Sequence, residues 1–256
     1  MNKSSHFSAI LAAAALLLGT SLSQAESVED LLKKGDVHDR KFQAAEALKY
    51  YGPAEKLEPN NAEVLVRMAR QYRHLMADAR TKWDKLRLGG TALSYSQRAA
   101  NLAPNNAEAQ LSVAISYGKI LPLQGSREQA QASPKIRAAV DKTLRLDPSN
   151  DTAWHILGRW HRLLADVSPV KRALAPLVAG KLPVGSNDEA LRCLQKAVSL
   201  NPRRPMHHIE LGRIYAQMDR PAEARESLQR VLAMPNADKD DAEMKGTGRE
   251  LLAKLR

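Results

Sequence analysis

A short phrase centred on proline recurs along the chain, and it constrains the fold more than any other sequence feature. Its first copy is Leu57-Glu58-Pro59-Asn60-Asn61-Ala62-Glu63, and related copies stand at residues 102–108, 146–151 and 200–202. Proline disfavours a helical conformation in the residue before it, whereas Asn or Ser caps the start of a following helix. In the first two copies an acidic residue also occupies the position of a capping box. Each copy therefore predicts the end of one helix and the start of the next.

Small residues recur in phase with these prolines, once in each predicted first helix. They are Gly35, Ala69, Ala114, Gly158 and Gly212. A small side chain lets two helices approach closely, and the last repeat runs 33 residues, from Pro202 to Pro235. This length is close to the roughly 34 residues of a tetratricopeptide repeat (TPR). The sequence thus predicts an all-α, TPR-type α-solenoid of helix-turn-helix repeats. A generic helical bundle is the alternative, and the shared phase argues against it.

The predicted solenoid has five repeats and a C-terminal capping helix. We expect the repeats at about residues 28–61, 62–106, 107–150, 151–204 and 205–238, and the capping helix at residues 241–256. The second, third and fourth repeats are longer than a standard TPR, so we expect extended insertions between their two helices. The first insertion would contain Trp83 and place Gly89 and Gly90 in an inter-helix turn, and the longest would contain a short amphipathic helix from Val170 to Val178.

The N-terminus carries the pattern of a secretory signal peptide. Lys3 precedes the apolar stretch from Phe7 to Leu18, and a small-x-small ending follows at Ser23-Gln24-Ala25. The stretch is shorter than the roughly 20 residues of a membrane-spanning helix, although an uncleaved anchor is the alternative. We expect residues 1–25 to be a signal peptide cleaved after Ala25. The mature chain would then be secreted or periplasmic, with no transmembrane helix.

The third to fifth repeats contain a more specific pattern. Leu157-Gly158-Arg159-Trp160 is followed by the long insertion, then by Glu189-Ala190-Leu191 and by Leu211-Gly212-Arg213-Ile214-Tyr215. From about Leu93 to Pro235 the chain resembles the regulator of microtubule dynamics family, which also has a long insertion after that run. The resemblance implies a TPR domain that acts as an adaptor, binding microtubules in some members and tethering organelles in others.

Stacked TPR repeats align their first helices along a concave groove, which predicts a candidate binding surface. Residues that directly follow the small positions point into this groove, as do those one turn later. With their neighbours they give the candidate set Arg70, Arg73, Lys119, His155, Arg159, Arg162 and Arg213. We expect exposed guanidinium groups there to bind an acidic segment or a C-terminal carboxylate of a protein partner. The first repeat contributes Asp36 and Asp39 instead. A solvated charged face is the alternative interpretation.

The charge balance favours anionic partners in general. Lys and Arg number 39 against 28 Asp and Glu. The predicted function is an extracytoplasmic TPR adaptor that binds an acidic protein segment. The alternative is a surface-binding protein whose basic edge, at Lys171, Arg172 and Lys181, docks on an anionic membrane or cell-envelope polymer. Microtubule regulation follows only from the family resemblance, and secretion argues against it.

Other function classes lack support in the sequence. No nucleophile-elbow or phosphate-binding motif occurs, so we predict no enzyme, no catalytic residues and no cofactor. The pairs His155/His161 and His207/His208 lack the i, i+4 spacing of metal ligands on one helix, so we predict no metal site. Aromatic residues make up 4% of the chain and no nucleic-acid-binding motif is visible, which argues against a nucleic acid partner.

Overall fold

The fold is a succession of paired helices, seen in a computed structural model that describes residues 26–178, 182–236 and 238–255. The predicted signal peptide and Lys181 lie outside these residues. The described part contains no β-strand and twelve α-helices, with one 3-10 turn at Leu121–Leu123. The helices are α1 Val28–Asp39, α2 Ala44–Leu57, α3 Ala62–Asp78, α4 Lys82–Leu102, α5 Ala107–Ile120, α6 Ser126–Leu146, α7 Asp151–Ala165, α8 Pro169–Val178, α9 Asn187–Leu200, α10 Pro205–Gln217, α11 Pro221–Ala233 and α12 Asp241–Lys254. The predicted all-α solenoid is confirmed.

The proline phrases act at helix ends as the sequence predicts. Asn61 accepts hydrogen bonds from the backbone N–H groups of the first turn of α3, and Asn106 and Asn150 do the same for α5 and α7. The capping-box interpretation of the acidic residues is wrong, however. Glu63 accepts a hydrogen bond from Arg67, and Glu108 accepts one from Arg70. Both carboxylates therefore join the charge network of the first helices.

Close helix crossings explain the small residues. The helices pack in the pairs α1/α2, α3/α4, α5/α6, α7/α9 and α10/α11. A Cβ atom on Gly158 would lie 2.6 Å from Cγ of Leu194, and one on Gly212 would lie 2.7 Å from Cγ of Leu228. Ala69 and Ala114 are fully buried. The expected role of these positions, which is to let paired helices approach, is confirmed.

The insertion of the second repeat does not form the expected turn. Trp83, Gly89 and Gly90 all lie within α4, which is 21 residues long. A Cβ on Gly89 would come within 2.7 Å of Ile120 and 2.9 Å of Met76, so this glycine permits another close crossing. The inserted residues lengthen α4, whose packing against α3 and α5 offsets the low helix propensity of glycine.

The longest insertion contains the expected short helix, α8. Arg172 ties it to the solenoid by donating to the carbonyl oxygens of Leu164, at 2.6 Å, and Pro183, at 3.0 Å. Ala175 is buried, whereas Leu174 and Leu177 are 53% and 80% exposed. At the other end of the molecule, α12 packs against α10 and α11. The chain therefore presents an apolar helix face outside the repeats and adds a final helix to the last one.

Candidate functional site

The first helices of successive repeats contact one another and form what we call the inner surface. Contacts join α3 to α5, α5 to α7 and α7 to α10. We define the inner surface by the seven residues that the sequence predicts there, namely Arg70, Arg73, Lys119, His155, Arg159, Arg162 and Arg213. Most of the charged groups among them already form ion pairs or hydrogen bonds within the chain, and their burial differs. That these residues bind a partner stays a prediction.

The N-terminal end of the inner surface is neutralised by ion pairs between repeats. Arg70 donates to Asp39, at 3.1 Å, and to Glu108, at 2.9 Å, and so links α1, α3 and α5. Asp36 accepts hydrogen bonds from Arg67, at 2.8 Å, and from the Tyr51 hydroxyl. Burial opposes ionisation of Asp36, but these hydrogen bonds outweigh it and hold its pKa below the usual range. The acidic first repeat thus balances the cations beside it.

Arg73 is buried rather than exposed, contrary to expectation. Its side chain donates to the hydroxyl oxygens of Ser112 and Ser116, each at 3.0 Å, and Ser96 lies within hydrogen-bond distance of both. Among the described residues it has no carboxylate at ion-pair distance. Burial, followed by the charge of Arg70, lowers the pKa of Arg73 to about 9. Arg73 therefore places a poorly compensated positive charge just beneath the surface.

A second buried charge cluster joins α7 to α10. Glu210 is fully buried and pairs with Arg162, at 3.1 Å, and with Arg213. Burial would raise the pKa of Glu210, but the charges of Arg159, Arg162 and Arg213 lower it to about 2. Gln217 also donates to the backbone oxygen of Arg162, at 3.1 Å. Arg162 and Arg213 are therefore occupied by an internal carboxylate.

His155 belongs to a polar chain that sequence spacing does not reveal. Its Nδ1 lies 3.2 Å from Nδ1 of His207, whose Nε2 lies 2.7 Å from Asp151. With His207 donating from Nε2 to the carboxylate, its Nδ1 is left to accept from His155. Burial lowers the pKa of His155 to about 3, so the ring is neutral at pH 7. The two histidines are 52 positions apart, which is why a search for pairs on one helix misses them.

The C-terminal part of the chain crosses the inner surface, a contact that the repeat pattern does not predict. We call residues Asp238, Lys239 and Asp240, between α11 and α12, together with Asp241, the first residue of α12, the acidic segment. Asp240 pairs with Lys119 on α5, Asp238 pairs with Arg204 at 3.3 Å, and Lys239 pairs with Asp78 at the end of α3. The sequence signal is a group of three aspartates, Asp238, Asp240 and Asp241, where α12 begins. Carboxylates of the chain itself thus occupy this basic surface.

Arg159 differs from the other six residues of the inner surface. It is half-buried on α7, and in the described part of the chain it makes no hydrogen bond or ion pair. Its charge nevertheless acts on Glu210, His155 and Lys119. A guanidinium carries five N–H donors in a fixed planar arrangement that suits a carboxylate. Arg159 is therefore the member of the set most open to an external anion.

Two kinds of site are missing from the described residues. They contain no group of three or more His, Cys, Asp or Glu side chains that could hold a metal ion. Within the same ranges, no helix combines the length and the apolar character needed to cross a membrane.

Comparison with known proteins decides the family. A family model described as "Regulator of microtubule dynamics protein 1-3" matches residues 25–256. The chain belongs to the regulator of microtubule dynamics family. It is 24% identical over 141 residues to regulator of microtubule dynamics protein 1 of Caenorhabditis elegans, covering 55% of this chain and 62% of that protein. It is 27% identical to protein 3 of Bos taurus, covering 50% of this chain and 28% of that protein. The chain thus spans less than two thirds of either regulator.

Solved structures agree with a TPR-type fold for this regulator family member. A thermophilic TPR protein of Thermus thermophilus superposes with a TM-score of 0.64 at 18% identity, covering 88% of this chain and all of that one. The pilF protein of Pseudomonas aeruginosa superposes with a TM-score of 0.56 at 12% identity, covering 89% and 88% of the two chains. At such identities the likeness concerns the fold alone.

Proposed function

We propose that this member of the regulator of microtubule dynamics family is an extracytoplasmic adaptor whose inner surface binds an acidic segment of a protein partner. The TPR-type fold supports an adaptor role, because its extended surfaces suit protein–protein interaction. The N-terminal pattern supports export. We propose no enzymatic activity.

One observation carries the preference for an acidic partner. Asp240 and Asp238 lie against Lys119 and Arg204, so this surface already accommodates carboxylates. Arg159 adds guanidinium donors without a hydrogen-bonding partner among the residues described. Charge-assisted hydrogen bonds from Arg to carboxylate are stronger than neutral ones, and they supply geometric selectivity. A carboxylate-bearing peptide is therefore the ligand that fits this chemistry.

In-cell photo-crosslinking tests the proposal. A photoreactive phenylalanine analogue replaces Ala216, which lines an open pocket beside Arg162 and Arg213. We expect it to capture a protein partner in the envelope, and mass spectrometry identifies the crosslinked peptide. The variant Arg159→Glu should reduce capture by about tenfold or more, since it replaces attraction by repulsion. The matched control is Arg145→Glu on α6, because Arg145 is exposed and lies on the second helix of its repeat.

The outcomes separate the parts of the proposal. A crosslinked peptide without acidic residues, or equal capture by Arg159→Glu and the control, would show that the inner surface does not bind an acidic segment. Fractionation that finds the protein in the cytoplasm with Met1 retained would overturn the proposed location. Co-sedimentation with microtubules would then favour the activity named in the relatives' descriptions.

A second candidate function rests on α8. Val170, Leu174 and Leu177 are 69%, 53% and 80% exposed and stand at helical spacing, while Lys171 is exposed beside them. The sequence contains no acidic residue between Asp166 and Asp188. An apolar face flanked by cations is the arrangement of helices that lie in the interface of an anionic membrane. Docking on an anionic membrane or envelope polymer through this edge is therefore the alternative proposal.

A further inference from the structure

The acidic segment bridges parts of the solenoid that are far apart in sequence. Lys239 donates to Asp78 at 2.6 Å, across 161 positions of the chain. Asp240 contacts Lys119 in the last turn of α5, and Asp238 contacts Arg204 at the start of α10. One tetrapeptide thus touches the first helices of the second, third and fifth repeats. A connector that only joined α11 to α12 would need none of these contacts.

The charges beneath the segment favour an anion at this place. Arg73 is buried with only hydroxyl partners in the described structure, and Asp238 is among the charges that favour its protonated form. Burial lowers the pKa of Lys119 to about 8, and Asp238 opposes that effect most strongly. Arg159 disfavours the charge on Lys119 further. Without the segment, Arg73 and Lys119 would lose the compensating charge of Asp238, which favours binding of another anion at the same place.

Two of the carboxylates in these contacts are nevertheless exposed. Asp238 and Asp78 are 41% and 59% exposed, and exposed ion pairs stabilise little. The helix that follows buries little apolar surface, since its buried residues are Asp241, Lys245 and Gly248. An open pocket of about 340 Å³ separates Leu251 and Lys254 of α12 from Arg162 and Arg213. Opening would therefore leave the five helix pairs intact.

We propose that the acidic segment is a resident ligand of the inner surface, and that an external partner binds by displacing the segment together with α12. The displacing ligand is an acidic peptide with two carboxylates separated by one residue, as in Asp238-Lys239-Asp240. This inference rests on the proposed function, and it adds the spacing of the recognised carboxylates and a closed state that limits access.

A competition experiment on the mature chain tests the proposal. The probe is a fluorescent peptide with the sequence of residues 235–245, and binding is followed by anisotropy. The variant Asp238→Asn/Asp240→Asn keeps the side-chain shapes and removes both carboxylates. We expect the peptide to bind this variant about tenfold more tightly than the parent chain, because two ion pairs no longer favour the closed state. The same peptide with Asn in place of Asp238 and Asp240 should not bind.

Two further variants control for the change in net charge and for misfolding of the double variant. Asp166→Asn/Asp188→Asn changes the net charge equally at exposed positions away from the segment, so it should bind the probe as the parent does. Asp78→Asn removes only the partner of Lys239, on the exposed end of α3, and should increase binding less than the double variant. If the double variant fails to fold, Asp78→Asn still tests whether loss of a segment contact increases probe binding. Hydrogen exchange should show faster exchange in α12, and unchanged exchange in α10, for both opening variants.

Each result has one meaning. Equal binding to the parent and to the opening variants overturns the resident-ligand inference and leaves the proposed function standing. Absence of binding to every variant, with α12 released in hydrogen exchange, overturns both. Equally tight binding of the Asn-containing peptide shows that carboxylate spacing is not recognised, and it also overturns the inference.

Discussion

Glu210 of α10 and Arg162 of α7 form an ion pair of 3.1 Å in which the carboxylate is fully buried. Arg213 shares the same carboxylate. Changing Glu210 to Gln keeps the shape but leaves two partly buried guanidinium groups without this counter-charge. We expect the free energy of unfolding to fall by about 3–5 kcal/mol, the usual effect of removing one partner of a buried pair. Urea denaturation measures it.

The matched control is Glu226→Gln. Glu226 is 72% exposed and pairs with Arg230 one turn later on α11. Exposed pairs of this kind contribute about 0–1 kcal/mol. Similar losses in both variants would show that the buried cluster does not join the last two repeats as described.

The crossing of α7 and α9 gives a second prediction. A Cβ on Gly158 would meet Leu194 at 2.6 Å and the backbone oxygen of Ala190 at 3.0 Å, so Gly158→Ala should destabilise the protein by about 1–3 kcal/mol through overpacking. Gly90→Ala is the control, because a Cβ there would have nothing within 4 Å and alanine favours a helix by about 0.5–1 kcal/mol. In thermal denaturation the melting temperature should therefore fall for Gly158→Ala and rise for Gly90→Ala. A stabilised Gly158→Ala variant would contradict the close crossing.

Acid should destabilise the protein through buried histidines. His155 has its pKa lowered to about 3 and His74 to about 4, both chiefly by burial. An unfolded histidine binds a proton near pH 6.5, so the unfolded state takes up protons first as the pH falls. Stability should be fully present above about pH 6.5 and should decline below it, by about 1.4 kcal/mol per pH unit for each proton.

The variant His155→Asn isolates one of these groups. Asparagine can occupy the position of the imidazole Nδ1 without titrating. Urea denaturation at pH 7.5 and 5.5 should show a smaller loss of stability for the variant than for the parent chain. An identical pH dependence would mean that His155 does not contribute to the acid sensitivity.

The face of α8 gives a fourth prediction, which tests the alternative function. If this edge docks on anionic membranes, the mature chain should sediment with vesicles that contain phosphatidylglycerol and not with vesicles of phosphatidylcholine alone. Leu174→Glu/Leu177→Glu should abolish sedimentation, because charged groups do not enter the acyl region. Leu57→Glu/Leu102→Glu is the control at two other exposed leucines. Binding that survives in the α8 variant would exclude docking through this helix.

Local signals explain which parts of the fold the sequence predicts. The asparagines of the proline phrases cap α3, α5 and α7 by contacts within three residues, and Gly158 and Gly212 mark helix crossings. Gly89 and Gly90 mislead, since adjacent glycines are typical of a turn. Both lie inside a helix that packs against α3 and α5, and Gly89 leaves room for Ile120 on α5. Local pattern cannot show such a contact.

The inner surface is less predictable than the fold. The TPR pattern places Arg70, Arg159 and Arg213 on the first helices, but their exposure depends on partners from elsewhere. Arg70 pairs with Asp39 and Glu108, and Arg213 pairs with Glu210, so of these three only Arg159 lacks a partner among the described residues. The segment that covers Lys119 comes from the far end of the chain. Periodicity within a repeat contains no information on these long-range pairs.

The acidic segment is joined to α11 by a short stretch of chain, and this connection lowers the apparent affinity of any competing peptide. A ligand held by a short linker acts at an effective concentration on the order of millimolar. A free peptide at micromolar concentration with the same intrinsic affinity would therefore lose to the acidic segment by about a thousandfold. Partners that succeed must either make additional contacts or be concentrated beside the protein. The solenoid would then respond to the local assembly of its partners rather than to their average abundance.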